Sequence, residues 1–321
     1  MGRAMTQRAR DWKRFTEIYD LTEQRRIAAN QGKRTLASRI NDKKSWLKFQ
    51  FLPHYFYGVP KWRLWLRSFS GPRTLPDFAC VGAIKCGTSD LSTYLFQHPC
   101  ILPPLSKEIM ALNTERWRTY YPTVQEKARV EQEHGKALSG YFNPALHSLP
   151  HIDALRAAVP NAKVILMLRN PVDRAFSQYK WDLFLGGKRL ARIPYYQSFA
   201  DYVAFAIDLF PGMALPTRFG CELLQTGIYV KPVQIWMDRF GRENIYILRA
   251  EDFFQDVAAA VCGIHEFLGI PAIEPEIHSI VNQNPMKPPR FEAETRQALQ
   301  EFYRPWNEKL YALIGRDMEW E

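Results

Sequence analysis

No stretch of this sequence approaches the ~20 uncharged apolar residues that a membrane-crossing helix requires, so no membrane span is expected. The basic opening, Met1 to Phe15, lacks the apolar core of a secretory signal. A soluble, cytoplasmic protein is therefore expected, the alternative being a Golgi-lumenal protein whose anchor lies outside this chain. Cysteine is sparse: Cys80, Cys86, Cys100, Cys221 and Cys262 form an odd set without a C-x-x-C pair. Neither a disulfide framework nor a paired-cysteine zinc site is suggested, and a reducing compartment fits. There is no H-E-x-x-H among the seven histidines, and no metal site is expected. Internal repeats and low-complexity tracts are also missing, and the chain is too apolar for a disordered protein.

What is present is a large apolar fraction, 46% of 321 residues, enough for one sizeable α/β domain with additions. The formal charge of +10 implies an anionic ligand or partner, without separating nucleic acid, membrane surface, nucleotide or sulfated polymer. Residues 1–70 are basic and aromatic. Trp12, Phe15 and Tyr19 fall at helical spacing, and Trp46, Phe49, Trp62, Trp65 and Phe69 sit among Lys and Arg. This pattern predicts a helical extension with its aromatics buried against a body and its cationic heads in water. Gly71-Pro72 and Pro76 mark a boundary, and residues 71–321 form the main domain. Strands are predicted at Asp77–Gly82, Ala162–Leu168 and Asn244–Leu248, each feeding a helix. One of these helices carries Phe253, Val257, Val261, Ile264 and Leu268 as a single apolar stripe closed by Gly269. Strands alternating with helices predict an α/β, P-loop-like, three-layer fold with a central parallel sheet flanked by helices.

Chemistry concentrates first in Gly82-Ala83-Ile84-Lys85-Cys86-Gly87-Thr88-Ser89. Two glycines at Walker A spacing, after a strand and before a helix, form a loop whose backbone N–H groups and helix N-terminus bind phosphate. Thr88 occupies the place of the Walker lysine, and the loop's lysine is Lys85. The second predicted strand ends in Arg169, where a nucleoside-triphosphate enzyme has a magnesium-holding acid. Protein cations thus replace the metal. Arg169-Asn170-Pro171-Val172-Asp173-Arg174-Ala175-Phe176-Ser177 puts an arginine at the strand's carboxyl end, a proline suited to start a helix and a serine within it. Arg169 and Ser177 together suit a second phosphate.

These two motifs, in this order, resemble the sulfotransferases that use 3′-phosphoadenosine 5′-phosphosulfate (PAPS), particularly the carbohydrate branch with its heparan and chondroitin sulfate enzymes. The segment Leu95 to Glu108 and the stretch from Gly227-Ile228-Tyr229 to Phe240 resemble further parts of that family, giving coverage from about Pro76 to Gly315. The resemblance implies a PAPS-dependent sulfotransferase, with 3′-phosphoadenosine 5′-phosphate (PAP) as by-product and no metal. It implies that Lys85 offsets charge on the departing phosphate and that Gly87, Thr88 and Ser89 hold the 5′-phosphate. Arg169 and Ser177 would bind the 3′-phosphate, with Cys86, Asp90 and Tyr229 in the same donor site. Glu108 would be the general base and Lys107 would steady the sulfuryl oxygens. The segment after Glu108, Ile109-Met110-Ala111-Leu112, departs from the family's usual Pro, His and aromatics, so the acceptor site is expected to differ. No K-G-R closing loop is evident, and Lys287 and Arg290 are its expected substitutes.

His98 beside Pro99 reads as structural, Cys86 as a small packing residue, and His134, His147 or His151 as reserve bases. The expected acceptor is a hydroxyl or amine, foremost of a carbohydrate or anionic glycan, with a small alcohol or phenol as the other possibility. Residues 1–70 are expected to contribute to the acceptor cleft. No nucleic-acid partner is expected, and oligomeric state is unreadable. Two further readings stay open: a nucleoside-triphosphate kinase or hydrolase, and a non-catalytic binder of nucleotide or anionic polymer.

Overall fold

The computed structural model describes residues 59, 61–109, 115–144, 146–147, 149–186, 193–210, 223–278 and 289–320. Helix α1 (Lys61–Ser68) precedes β1 (Phe78–Gly82), α2 (Thr88–Leu95) and β2 (Ile101–Leu102). Then come α3 (Val124–His134), β3 (Leu138–Asn143), α4 (Leu149–Ala158), β4 (Lys163–Leu168) and α5 (Pro171–Gly186). The chain continues through α6 (Phe199–Leu209), α7 (Val230–Phe240), β5 (Ile245–Arg249), α8 (Ala250–Gln255), α9 (Val257–Leu268) and α10 (Ala293–Ile314).

The five strands form one parallel sheet in the order β2-β3-β1-β4-β5. Every residue of β1 and β3 is buried, so both faces of the sheet are covered, as a parallel sheet requires. From β1 the chain runs outward to β2, whereas from β4 it runs the other way to β5. A crevice therefore opens at the carboxyl ends of β1 and β4, where a ligand site is expected in such sheets. A second apolar cluster, rich in tyrosine and phenylalanine, packs α5, α6 and α10 together beside the main core.

The three predicted strands are present within a residue of their expected ends. Strands β2 and β3 were not anticipated. The sequence of β3, LSGYFN, mixes Leu, Tyr and Phe with Ser, Asn and Gly140, so neither alternation nor an apolar run announces it. It is held by long-range contacts: Asp77 accepts the Ser139 N–H (2.7 Å), and the rings of Phe78 and Phe142 meet edge to face at 5.7 Å. The apolar stripe from Phe253 to Leu268 is divided between two helices. Asp256 leaves helical geometry and caps α9 by accepting the Ala259 N–H (2.9 Å). Gly269 ends α9 in the left-handed conformation, as expected.

The burial expected for the basic aromatic segment does not hold in its described part. Helix α1 buries Leu64, and Arg67 donates to the carbonyls of Thr119 (2.8 Å) and Tyr121 (2.9 Å), while Trp62, Trp65 and Phe69 are exposed. The helix is fixed by arginine-to-carbonyl hydrogen bonds, which leave its aromatic side outward. Trp12, Phe15, Tyr19, Trp46 and Phe49 lie outside the described residues.

At Gly140 an added Cβ would stand 2.5 Å from the Phe78 ring and 2.6 Å from that of Phe142. Gly140→Ala is expected to lower unfolding stability by about 1–3 kcal/mol, the usual range for overpacking a closed core. Chemical denaturation checks this, and an unchanged midpoint and slope would refute it.

Candidate donor and transfer site

The loop after β1 is shaped by close backbone packing. A Cβ at Gly82 would lie 2.7 Å from the carbonyl oxygen of Met167 on β4, so glycine is required where the strands meet. Lys85 (φ 71°) and Gly87 (φ 101°) both adopt left-handed geometry, and Gly87 is the N-cap of α2. This turn brings the loop onto the helix N-terminus, the combination that favours an anion. Thr88 and Ser89 open α2 as expected. Cys86 is fully buried, hydrogen-bonded to Tyr229, and burial pushes its thiol up to about 11. It packs, and its side chain offers nothing to a ligand.

Lys85 sends its ammonium 4.0 Å from the centre of the Trp181 ring on α5. Burial, then the neighbouring Arg169, lower its pKa to about 8, with Lys180 and Lys107 adding to the effect and Asp182 opposing it. Arg169, at the carboxyl end of β4, donates from Nη1 to the Lys85 carbonyl (3.2 Å). The two motifs, 84 residues apart in the chain, thus meet in one crevice. Asn170 fixes the entry into α5: its side chain accepts the Val172 N–H (3.0 Å) at the start of that helix, while its own N–H bonds Glu251 (2.8 Å). Pro171 begins α5, and Ser177, partly exposed, lies in that helix. Tyr229 is buried and donates to the Arg169 carbonyl (2.9 Å). Its hydroxyl holds Arg169 in place.

Lys107 and Glu108 reach the same end of the sheet, where Glu108 bridges to Phe142 beside the end of β3. Lys107 is no solvated surface lysine. It is 1% exposed, donates to Ser89 Oγ at 2.6 Å and stands 3.8 Å from Glu108 Oε1. Burial lowers its pKa, against the opposing charges of Glu108 and Asp90. Glu108 itself is about one-third exposed, open to a proton donor from solution or substrate. Asp90 is buried beside Lys107, so its negative charge serves that lysine and offers a phosphate no attraction.

Arg290 is 86% exposed and pairs with Glu292 at 3.5 Å; its neighbour Phe291 stacks on Phe176 of α5 (4.5 Å). Lys287 lies outside the described residues. His98 is structural: one ring nitrogen accepts the Cys100 N–H (3.1 Å) and the other lies 2.9 Å from the Pro271 carbonyl. His134 ends α3 just before the start of β3, at the opposite end of the parallel strands from the crevice. His147 and His151 stand four residues apart, but His147 precedes α4 and turns to the Ile228 carbonyl (3.3 Å). Among the described residues no three His, Cys, Asp or Glu side chains gather in a metal-binding group.

Lys180, Trp181 and Asp182 also belong to the site and were not anticipated from the sequence. Burial, then Arg169, lower the pKa of Lys180, and Asp182 is buried near Lys85. The signal was available: Lys180 and Trp181 lie three and four residues beyond Ser177 and so share its helix face.

This chain matches the sulfotransferase domain family over residues 75–305. It is 25% identical over 286 residues to human heparan sulfate glucosamine 3-O-sulfotransferase 6, covering 79% of this chain and 76% of that relative. Human carbohydrate sulfotransferase 15 is also 25% identical, over 314 residues, with 76% of this chain and 54% of the relative covered. The membrane-associated sulfotransferase kil1 of Dictyostelium discoideum is 24% identical over 327 residues, covering 77% and 67%. Among solved structures, a sulfotransferase from Alicyclobacillus acidocaldarius superposes with a TM-score of 0.55 at 28% identity, covering 76% of this chain and 97% of its own.

The kinship corrects the expected cytoplasmic placement, since the relatives are heparan sulfate and carbohydrate enzymes, one of them named as membrane-associated. Sparse cysteine and the lack of a long apolar run describe the chain and do not fix its compartment. Among the described residues no helix is long and apolar enough to cross a membrane. The chain belongs to the sulfotransferase family, the PAPS-dependent class of transferases.

Proposed function

We propose that this protein moves the sulfuryl group of PAPS onto a hydroxyl, or an amine, of a carbohydrate acceptor, without a metal. The observation that carries the reading is the convergence of Lys85, Arg169, Lys180 and Lys107 on one crevice at the N-terminus of α2. Such a site suits a compact polyanion, and the donor's two separated phosphates match its two motifs. When bound, PAPS supplies an activated sulfuryl group on a phosphate leaving group.

The chain's residues divide the remaining work. The loop amides of Gly87, Thr88 and Ser89 bind the 5′-phosphate, and Lys85 offsets the charge that builds on it as the bond to sulfur breaks. Arg169 and Ser177 bind the 3′-phosphate, the group that separates this donor from ATP. Glu108 takes the acceptor's proton, since an attacking hydroxyl must lose one. Lys107, fixed by Ser89 and charge-balanced by Glu108, is placed to steady the sulfuryl oxygens. Support for a carbohydrate acceptor comes from the named substrates of the relatives, heparan sulfate glucosamine among them. An anionic glycan also agrees with the net charge of +10.

Lys85→Ala and Glu108→Gln are each expected to lower transfer from PAPS by about a hundredfold or more, in the range seen when a charge-stabilising group or a general base is lost. Only the Lys85 change should also weaken PAP binding clearly. Radiolabelled transfer to a glycan panel, with calorimetric PAP titration, checks both. A retained rate in either variant removes that residue from the mechanism.

Lys85 also supplies a pH test. Its pKa of about 8 in the free protein leaves roughly half the lysines neutral at that pH, whereas a bound phosphate favours the cation. PAP binding near pH 8 should therefore take up a fraction of a proton, and affinity should fall as pH rises further. Calorimetry in two buffers of different ionisation enthalpy measures this. Equal heats in both would place the lysine's proton elsewhere.

A further inference from the structure

Lys85 has an unusual resting environment. Its backbone is fixed in left-handed geometry, and burial together with Arg169, Lys180 and Lys107 disfavours its charge. A cation so placed is usually held by a carboxylate. Among the described residues Lys85 has no ion pair; the group within reach of its ammonium is the indole of Trp181, 4.0 Å from nitrogen to ring centre. The ring is itself packed against Phe184, with centroids 5.5 Å apart.

We propose that Trp181 is a positioning residue for Lys85, its indole face standing in for the counter-anion until an anionic donor arrives. This inference rests on the donor-site reading above. A carboxylate in the same place would hold the lysine as firmly, but it would repel the donor's phosphates and compete with them for the ammonium. An aromatic face attracts the cation through its quadrupole while carrying no net charge. It therefore orders the long, flexible lysine side chain without opposing the ligand, and the ordering cost is met before binding.

The placement of Trp181 in the fold fits this role. It lies one helical turn beyond Ser177 on α5, so one rigid helix carries both the serine of the second phosphate motif and the rest position of the lysine from the first. The charged groups facing Lys85 come from each neighbouring element: Arg169 from the end of β4, Lys180 and Asp182 from α5, and Lys107 from the segment before β3. Three of the four are cations, so loss of the indole leaves Lys85 with little to hold it at the loop.

The test is a double-mutant cycle read by PAP affinity, which needs no acceptor. The full-length wild type, Trp181→Leu, Trp181→Phe, Lys85→Ala and Trp181→Leu/Lys85→Ala are titrated calorimetrically across about pH 7 to 9, the range that brackets the lysine's titration. Trp181→Leu is expected to weaken PAP about tenfold, with its pH midpoint moved down, and Trp181→Phe should restore most of the affinity. In the Lys85→Ala background the tryptophan change should matter less than about twofold, because its effect runs through the lysine. Trp181→Met gives the same reading if leucine disturbs folding. Wild-type affinity in Trp181→Leu beside a weakened Lys85→Ala would overturn the inference alone, as would an equal loss in both backgrounds. Undiminished PAP binding by Lys85→Ala would instead remove the donor reading on which it rests.

Discussion

The structure turns on holding like charges close together. Lys85, Arg169, Lys180 and Lys107 gather around a single crevice, where burial lowers the proton affinity of the three lysines and Arg169 lowers that of Lys85 and Lys180 further. Concentrating cations in this way is unfavourable in the free protein and favourable once a polyanion enters. The fold supplies the restraint. The parallel sheet delivers the phosphate loop and Arg169 from adjacent strands, and α2 and α5 start within that same crevice.

Hydrogen bonds and an aromatic face keep these cations in place. Tyr229 bonds the Arg169 carbonyl, Asn170 links the start of α5 to Glu251, Lys107 is fastened to Ser89, and Lys85 rests on Trp181. Acids are used sparingly: Asp90 and Glu108 balance Lys107, and Asp182 lies buried near Lys85. Positive charge at the loop is thereby kept available. A loop built on backbone amides and a helix N-terminus, flanked by lysine and arginine, is the chemistry a sulfuryl donor with two phosphates requires.

Much of this was legible because local sequence and function coincide. The glycines of the loop are both required, Gly82 by the close Met167 carbonyl and Gly87 by its left-handed backbone, and both motifs lie at strand ends. What escaped notice depends on tertiary contacts. Strand β3 mixes apolar and polar residues without a strand period, and it is held by Asp77, which accepts the Ser139 N–H, and by Phe78, whose ring meets the strand's own Phe142. Tyr229 supports Arg169 through its buried hydroxyl, a contact across 60 residues of chain that local sequence does not announce. Trp62, Trp65 and Phe69 looked like core and are exposed, since Arg67 docks α1 through carbonyls. Trp181 carried no motif, and only its spacing from Ser177 pointed to it.

A crevice that binds PAPS must read a 3′-phosphate as well as a 5′-phosphate. Thermal stability of the full-length protein in chelator, with PAP compared against ADP, tests it most directly. Marked stabilisation by PAP and little by ADP is the expected result. Stabilisation by ADP alone, or only after magnesium is restored, would contradict it.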